Sequence, residues 1–275
     1  MSTLLRDGWR KHGAPEQLSV LDLCTGSGCI PLLLHHELSS KRFTVDGSDH
    51  QQAFPELQIV GVDISPKALE LARLNAKKYF TISPGVPNSG TLPGISQDIR
   101  FLQADVLPTP TTTSSATIPM LHEALHQANY PTTFDILISN PPYISSTSFL
   151  RTTAASVRSY EPKLALVPRL TAGGKATESD GDIFYQYLLQ HAETVGAKIV
   201  LFEVADLDQA KRVASLTFAQ GIWECIAIWR DDPSPAEDQS QVVTFEQQDV
   251  RIVGSGHGRS VFAWRGVGTH WLNAT

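Results

Sequence analysis

The tetrapeptide Asn140-Pro141-Pro142-Tyr143 places a side-chain amide, two residues without backbone N–H groups and an aromatic ring directly after the apolar run Phe134-Asp135-Ile136-Leu137-Ile138-Ser139. The prolines stiffen the turn, so the Pro141 carbonyl and the Asn140 side-chain oxygen can each accept one hydrogen of a planar NH2 group. Tyr143 offers a face on which such a group stacks. With both hydrogens held, the nitrogen lone pair is aimed at an electrophile, and orientation carries the chemistry without a strong base. Asn140, Pro141, Pro142 and Tyr143 are the candidate catalytic residues.

Upstream lies Asp22-Leu23-Cys24-Thr25-Gly26-Ser27-Gly28, with Asp63 closing Ile59-Val60-Gly61-Val62 and Asp105 closing Phe101-Leu102-Gln103-Ala104. Gly26 and Gly28 allow a tight turn and a close approach to a ligand ahead of a helix start with free N–H groups. Such a turn also suits a dinucleotide, but the third glycine of that fingerprint falls at Pro31. Asp22 suits the amino group of a methionine, Asp63 a pair of ribose hydroxyls and Asp105 an adenine amine. Charge-assisted hydrogen bonds contribute roughly 1.5–3 kcal/mol each, so three convergent carboxylates would supply much of the affinity for a nucleoside. The expected cofactor is S-adenosylmethionine, held by Asp22, Thr25, Gly26, Gly28, Asp63, Ile64, Asp105, Val106 and Asn140.

The elements that must position these residues alternate between short apolar runs and helical patterns, which predicts an α/β fold: a seven-stranded, doubly wound, Rossmann-like sheet. Strands are expected at 20–23, 58–62, 100–103, 134–138, 198–204, 223–229 and 260–264, and helices at 30–38, 66–78, 182–193 and 208–220. Ser65 is placed to cap the second helix and Pro66 to open it. Polar, Pro-, Gly-, Ser- or Thr-rich stretches at 39–55, 83–97 and 108–133 read as surface insertions in one catalytic domain, 18–275, preceded by an N-terminal remnant, 1–17. Residues 231–241 read as a long hairpin loop.

The 275 residues are 41% hydrophobic and 18% charged, the composition of an ordinary globular protein, and their net charge is −6. That balance lacks the basic footprint of a chain that grips phosphates, so no direct nucleic-acid partner is expected. Neither a membrane span nor a secretory signal is recognisable, which predicts an intracellular protein with no membrane partner. Cys24, Cys29 and Cys225 form no Cys-x-x-Cys pair and read as small buried hydrophobes. His122-Glu123-Ala124-Leu125-His126 matches a zinc peptidase pattern, but it is confined between Pro119 and Pro131 with no third ligand following; it reads as a short amphipathic surface helix, and no metal is expected. Asn273-Ala274-Thr275 matches a glycosylation sequon that is inert without secretion.

Taken together these motifs resemble the protein glutamine methyltransferases of the HemK/PrmC kind over roughly residues 18 to 265. The resemblance extends to Tyr160-Glu161-Pro162-Lys163-Leu164-Ala165-Leu166, to Asp180-Gly181 with Tyr185, to Leu201-Phe202-Glu203-Val204 and to Gly258-Arg259-Ser260-Val261. It implies a class I S-adenosylmethionine-dependent methyltransferase fold and methyl transfer to a glutamine side-chain amide in a class I peptide chain release factor, within the Gly-Gly-Gln motif. The enzyme is expected as a monomer, located in the mitochondrion, with the cytoplasm as the alternative.

Several features depart from the family pattern. Its N-terminal helical domain and Pro-Arg-x-x-Thr-Glu stretch are not recognisable in residues 1–19, which implies a truncated chain. The insertion at 39–55 widens the gap between Asp22 and Asp63, Asp208 stands where the family often has a glutamine, and Cys24 replaces the first glycine of the loop. A related branch acting on a ribosomal-protein glutamine shares the Cys-Thr-Gly-Ser-Gly-Cys version, so that acceptor is an alternative. An adenine-amino methyltransferase on DNA or RNA, and a cofactor-binding relic without transfer, are the other readings weighed.

Overall fold

Even-numbered Leu18 and Val20 enter one core while odd-numbered Leu21 and Leu23 enter another. A strand buried on both faces belongs inside a sheet covered by helices on each side. The computed structural model has this arrangement; it describes residues 1–39, 43–44, 51–82, 98–107, 118–169, 178–233, 241–245 and 248–272. In chain order the first half comprises α1 (Ser2–His12), β1 (Gln17–Leu23), α2 (Cys29–Leu38), the short β2 (Phe43–Thr44) and β3 (Gln51–Gln52), β4 (Glu56–Asp63), α3 (Pro66–Ile82), β5 (Ile99–Gln103), α4 (Leu121–Gln127) and β6 (Ile136–Ser139). The second half comprises α5 (Ser146–Thr152), α6 (Ala155–Tyr160), α7 (Ile183–Thr194), β7 (Ile199–Glu203), α8 (Leu207–Ala219), β8 (Cys225–Asp232), β9 (Gln241–Phe245), β10 (Gln248–Val253), β11 (Ser255–Trp264) and α9 (Val267–Trp271). Two 3₁₀ turns, Lys163–Ala165 and Glu178–Asp182, lie between α6 and α7.

The main sheet runs β5-β4-β1-β6-β7-β11-β8-β10-β9. β5, β4, β1, β6 and β7 are parallel, and β11 is antiparallel to both β7 and β8. From β1 the chain moves outward through β4 and β5, then returns to β6 on the other side. The strand order therefore reverses between β1 and β6, and ligands of open α/β sheets bind in the crevice at such a point.

Helices cover both faces. Leu5 and Trp9 of α1, Leu34 and Leu38 of α2, Leu69 of α3 and Trp271 of α9 build one core. Leu121 and Leu125 of α4, Tyr185 and Leu188 of α7 and Val213 of α8 build the other. α3 starts as its residues predict: Ser65 Oγ accepts from Ala68 N–H at 3.3 Å, and Pro66 occupies the first turn, where a missing N–H costs nothing. Among the described residues no helix is long and apolar enough to cross a membrane.

Among the described residues the sheet has nine strands in place of the expected seven. The additional strands are β9 and β10, where Val250 and Ile252 alternate into the core. β10 inserts between β8 and β9, so residues 231–241 do not join hairpin partners; residues 234–240 of that stretch lie outside the described residues. Residues 1–17 contain an ordered helix: Leu5 and Trp9 are fully buried, and a Cβ at Gly8 would lie 2.0 Å from the Trp271 carbonyl, a measure of how closely α1 crosses α9. Within the stretch 108–133, α4 is no surface appendage, because Leu121, Ala124 and Leu125 are buried in the core. The insertion at 83–97, most of 39–55, residues 108–117 and the sequon at 273–275 lie outside the described residues.

Candidate active site

β1, β4, β5 and β6 end together. Leu23 lies beside Val62 and Ser139, and Asp63 lies beside Gln103, so the loops that follow these strands converge on one edge. Between them opens a cavity of about 530 Å³ lined by Thr25, Gly26, Asp63, Ile64, Asp105, Val106, Asn140, Pro141, Pro142 and Tyr143. Its volume lies within the usual range for small-molecule sites, roughly 300–1,000 Å³. The cavity brings together every candidate site residue except Asp22 and Gly28.

Each loop has a local reason for its shape. Gly26, at φ +56°, and Gly28, at φ +77°, adopt the left-handed conformation that favours glycine. Gly26 faces the cavity. Gly28 faces the packing instead: a Cβ there would sit 2.9 Å from the Phe101 ring, so it seats the start of α2 against β5. Cys24 holds φ +62°, the region in which the family's glycine would be unstrained.

The three acids are held differently. Asp63 accepts from Gly26 N–H at 2.9 Å and from Ser65 N–H at 2.8 Å, which fixes its carboxylate at the cavity wall. Asp105 is 4% exposed and accepts from Leu107 N–H at 3.1 Å and from Arg169 Nη2 at 2.6 Å. Asp22 is fully buried with no hydrogen-bond partner on either carboxylate oxygen and does not line the cavity. Burial pushes its carboxyl up to about 7, the nearby Thr25 hydroxyl opposes the rise and the Asp63 charge adds to it. Thr25 lines the cavity, but its hydroxyl Oγ1 is buried and turned toward Gly61, where an added Cβ would lie 2.7 Å from it.

The tetrapeptide follows β6 with Asn140 exposed and both prolines buried. Tyr143 Oη donates to Glu203 Oε1 at 3.1 Å, and burial followed by the Glu203 charge pushes the phenol up to about 12, so it stays neutral. The Tyr143 carbonyl accepts from Gln209 Nε2 at 3.2 Å. That amide also donates to Asp182 Oδ1 at 2.9 Å, its oxygen accepts from Ala205 N–H at 2.7 Å, and Asp182 is gripped by Arg212 through both carboxylate oxygens. Gly181 lies against the same turn, where a Cβ would meet the Tyr143 carbonyl oxygen at 2.3 Å. Asn140 also lines a smaller cavity of about 240 Å³ with Glu203, Trp229 and Arg259.

Gln209, Asp182, Arg212 and Arg169 have no role in the sequence reading. Gln209 is 3% exposed and ties the tetrapeptide turn to α8, whereas Asp208, at the position singled out for a glutamine, is exposed and pairs with Lys211. Arg169 carries no motif signal. His122 and His126 are exposed on α4, and no group of three or more metal-ligating side chains occurs among the described residues. The three cysteines are free; Cys29 and Cys225 are exposed and Cys24 is half-buried at the cavity, so only Cys24 approaches the expected buried role.

The residues that line the cavity fit a nucleoside, whereas Asp22, expected to meet a methionine amino group, is buried away from it. Two carboxyl groups fixed at the wall, Asp63 and Asp105, suit ribose hydroxyls and an exocyclic amine, since a carboxylate offers about four acceptor positions.

No protein-family model matches the chain. Among curated proteins, the probable MRF1 mitochondrial N(5)-glutamine methyltransferase mtq1 of Schizosaccharomyces pombe is 30% identical over 240 residues, 86% of this chain and 62% of that protein. The release factor glutamine methyltransferase of Chlorobaculum tepidum is 32% identical over 54% of this chain and 35% of its own length. A ribosomal protein uL3 glutamine methyltransferase of Neisseria meningitidis is 29% identical over 72% of this chain and 46% of its own length. The chain thus spans between about a third and three-fifths of the length of these relatives. Among solved structures, the hMettl16 catalytic domain aligns at 12% identity and a TM-score of 0.43, covering 90% of this chain and 63% of that one. The chain thus carries a doubly wound sheet and is similar in sequence, over most of its length, to proteins named as glutamine methyltransferases.

Proposed function

We propose that this chain transfers a methyl group from S-adenosylmethionine to the side-chain amide nitrogen of a glutamine in a class I peptide chain release factor. The observation that carries the reading is the Asn140-Pro141-Pro142-Tyr143 turn opening into the same cavity as Asp63 and Asp105. When bound, the cofactor would supply an activated methyl group for the amide nitrogen, which would give up one of its protons to water. Asp63 takes the ribose hydroxyls and Asp105 the adenine amine. The Asn140 side-chain oxygen and the Pro141 carbonyl accept the two amide hydrogens, and the Tyr143 ring, anchored through Glu203, walls the acceptor. Pro142 keeps the turn rigid. These residues orient, and none of them needs to act as a strong base.

Two relatives named as mitochondrial favour a mitochondrial location. The relatives named for ribosomal protein uL3, together with Cys24-Thr25-Gly26-Ser27-Gly28-Cys29, favour a ribosomal-protein glutamine as the second acceptor to test.

The test is incubation with labelled cofactor and a bacterial-type release factor, followed by mass-spectrometric mapping. Methylation is expected on the glutamine of the Gly-Gly-Gln motif. Asn140→Ala is expected to retain cofactor binding and to lose at least about 100-fold in transfer, since a misoriented acceptor costs that much. Methylation of uL3 alone would shift the acceptor to the second reading, and undiminished turnover by Asn140→Ala would remove its proposed role.

A further inference from the structure

Arg169 belongs to a stretch that spans the cavity from the acceptor turn to the end of β5. At one end of this stretch, Ile144 N–H donates to the Leu166 carbonyl at 2.9 Å, tying it to the residue that follows the tetrapeptide. At the other, Arg169 Nη2 reaches Asp105 Oδ2 at 2.6 Å. Leu166, Pro168 and Arg169 all line the cavity between these points. The ion pair is unlike an ordinary surface pair, because the Asp105 side chain is 6% exposed while that of Arg169 is 51% exposed. Exposed pairs contribute little, but a carboxylate withdrawn from water depends on the donors that meet it.

We propose that Arg169 is a positioning residue for nucleobase recognition: it holds the Asp105 carboxylate in the orientation in which that group accepts from the exocyclic amine of a 6-aminopurine. The inference rests on the cofactor reading above and adds to it the residue that sets its base selectivity. A carboxylate offers about four acceptor positions, so the guanidinium and the amine can share it. A 6-oxopurine would present an oxygen to the same carboxylate, two acceptors facing each other. With Arg169 removed, Asp105 loses the charged donor that reaches it from across the cavity.

The experiment is calorimetric titration of the full chain with S-adenosylhomocysteine and with its 6-oxo counterpart, S-inosylhomocysteine, neither of which carries a methyl to transfer. The unaltered protein is expected to prefer the amino ligand by at least about tenfold, the size of one charge-assisted hydrogen bond. Arg169→Ala is expected to weaken the amino ligand by about tenfold and the oxo ligand little, so that the preference collapses. Arg169→Lys, which keeps the charge but not the planar fork, should recover part of the preference. Thermal unfolding of each variant checks that the fold is kept. Equal weakening of both ligands would mean that Arg169 only covers the cavity, and an unchanged preference would mean that Asp105 needs no help; either result overturns the proposal while leaving the cofactor reading intact. Failure of the unaltered protein to bind either ligand would overturn that reading and the proposal with it.

Discussion

The β1/β4 end of the cavity and the tetrapeptide end are held by different means. At the first, Asp63 is fixed by backbone N–H groups, one of them only two residues away, and glycines at positive φ shape the loop. The distant Asn75 and Gln103 side chains donate to the Ser27 and Ile64 carbonyls alone, not to Asp63. At the second, the turn is held by side chains from distant segments: Glu203 on the Tyr143 hydroxyl, and Gln209 on the Tyr143 carbonyl across 66 residues, with Asp182 and Arg212 behind it. Backbone-held geometry survives most remote substitutions. A buried side-chain network does not, because each member left unpaired costs about 1–3 kcal/mol and its neighbours shift. The two ends should therefore fail separately.

Asp22 offers the largest test, since it belongs to the β1/β4 end but lacks the N–H donors that hold Asp63. Its carboxyl rises from 3.8 to about 7 on folding, so the folded state binds the proton more tightly than the unfolded state does. Its contribution to stability is fully present below 3.8 and is lost as pH rises through about 7. At about 1.4 kcal/mol per pH unit this corresponds to about 4 kcal/mol. Asp22→Asn lacks that slope, and denaturant unfolding between pH 4 and 8.5 should show the variant gaining on the unaltered protein by that amount. Parallel stability curves would mean that the carboxylate is solvated or paired after all.

Gly181→Ala should break the other end alone. The added methyl would meet the Tyr143 carbonyl oxygen at 2.3 Å, so the turn must move. A displacement of about 1 Å at reacting groups costs on the order of 100-fold, and transfer should fall by that factor while affinity for S-adenosylhomocysteine stays within about threefold. A joint loss of binding and transfer would erase the distinction between the two ends.

The same difference explains what the sequence made legible. Ser65 and Pro66 could be read because their types follow local capping and turn chemistry, and Asp63 because it closes an apolar strand. Gly181 was visible only through its family motif, and its physical role, closeness to Tyr143, required the fold. Gln209 and Arg169 were not visible, because nothing local distinguishes a buried bridging glutamine or a cavity-crossing arginine from a solvated one. Gly28 was read as a ligand residue although its contacts are with Phe101 and Ala72, since a glycine signals close approach without saying to what. The strands β9 and β10 carried apolar alternation, yet they lie beyond the polar stretch at 231–241, where no fixed spacing from the parallel core places them. α4 was taken for surface because Pro and Thr flank it, while burial is decided by Leu121 and Leu125.

The smallest expected effect lies back in the β1/β4 loop, at Cys24. Its φ of +62° costs an L-residue roughly 1–2 kcal/mol, which Cys24→Gly would relieve. Against that, glycine adds about 0.5–1 kcal/mol of unfolded-state freedom and gives up the apolar contact of a side chain packed on the core, about 0.8 kcal/mol for one methylene. These contributions nearly cancel, so the variant should unfold within about 0.5 kcal/mol of the unaltered protein, whereas Cys24→Val, with a branched Cβ at the same φ, should lose more than about 1 kcal/mol. If Cys24→Gly instead loses as much as Cys24→Val, contacts of the side chain and not backbone conformation hold this loop, and the β1/β4 end would be built on the same principle as the tetrapeptide end.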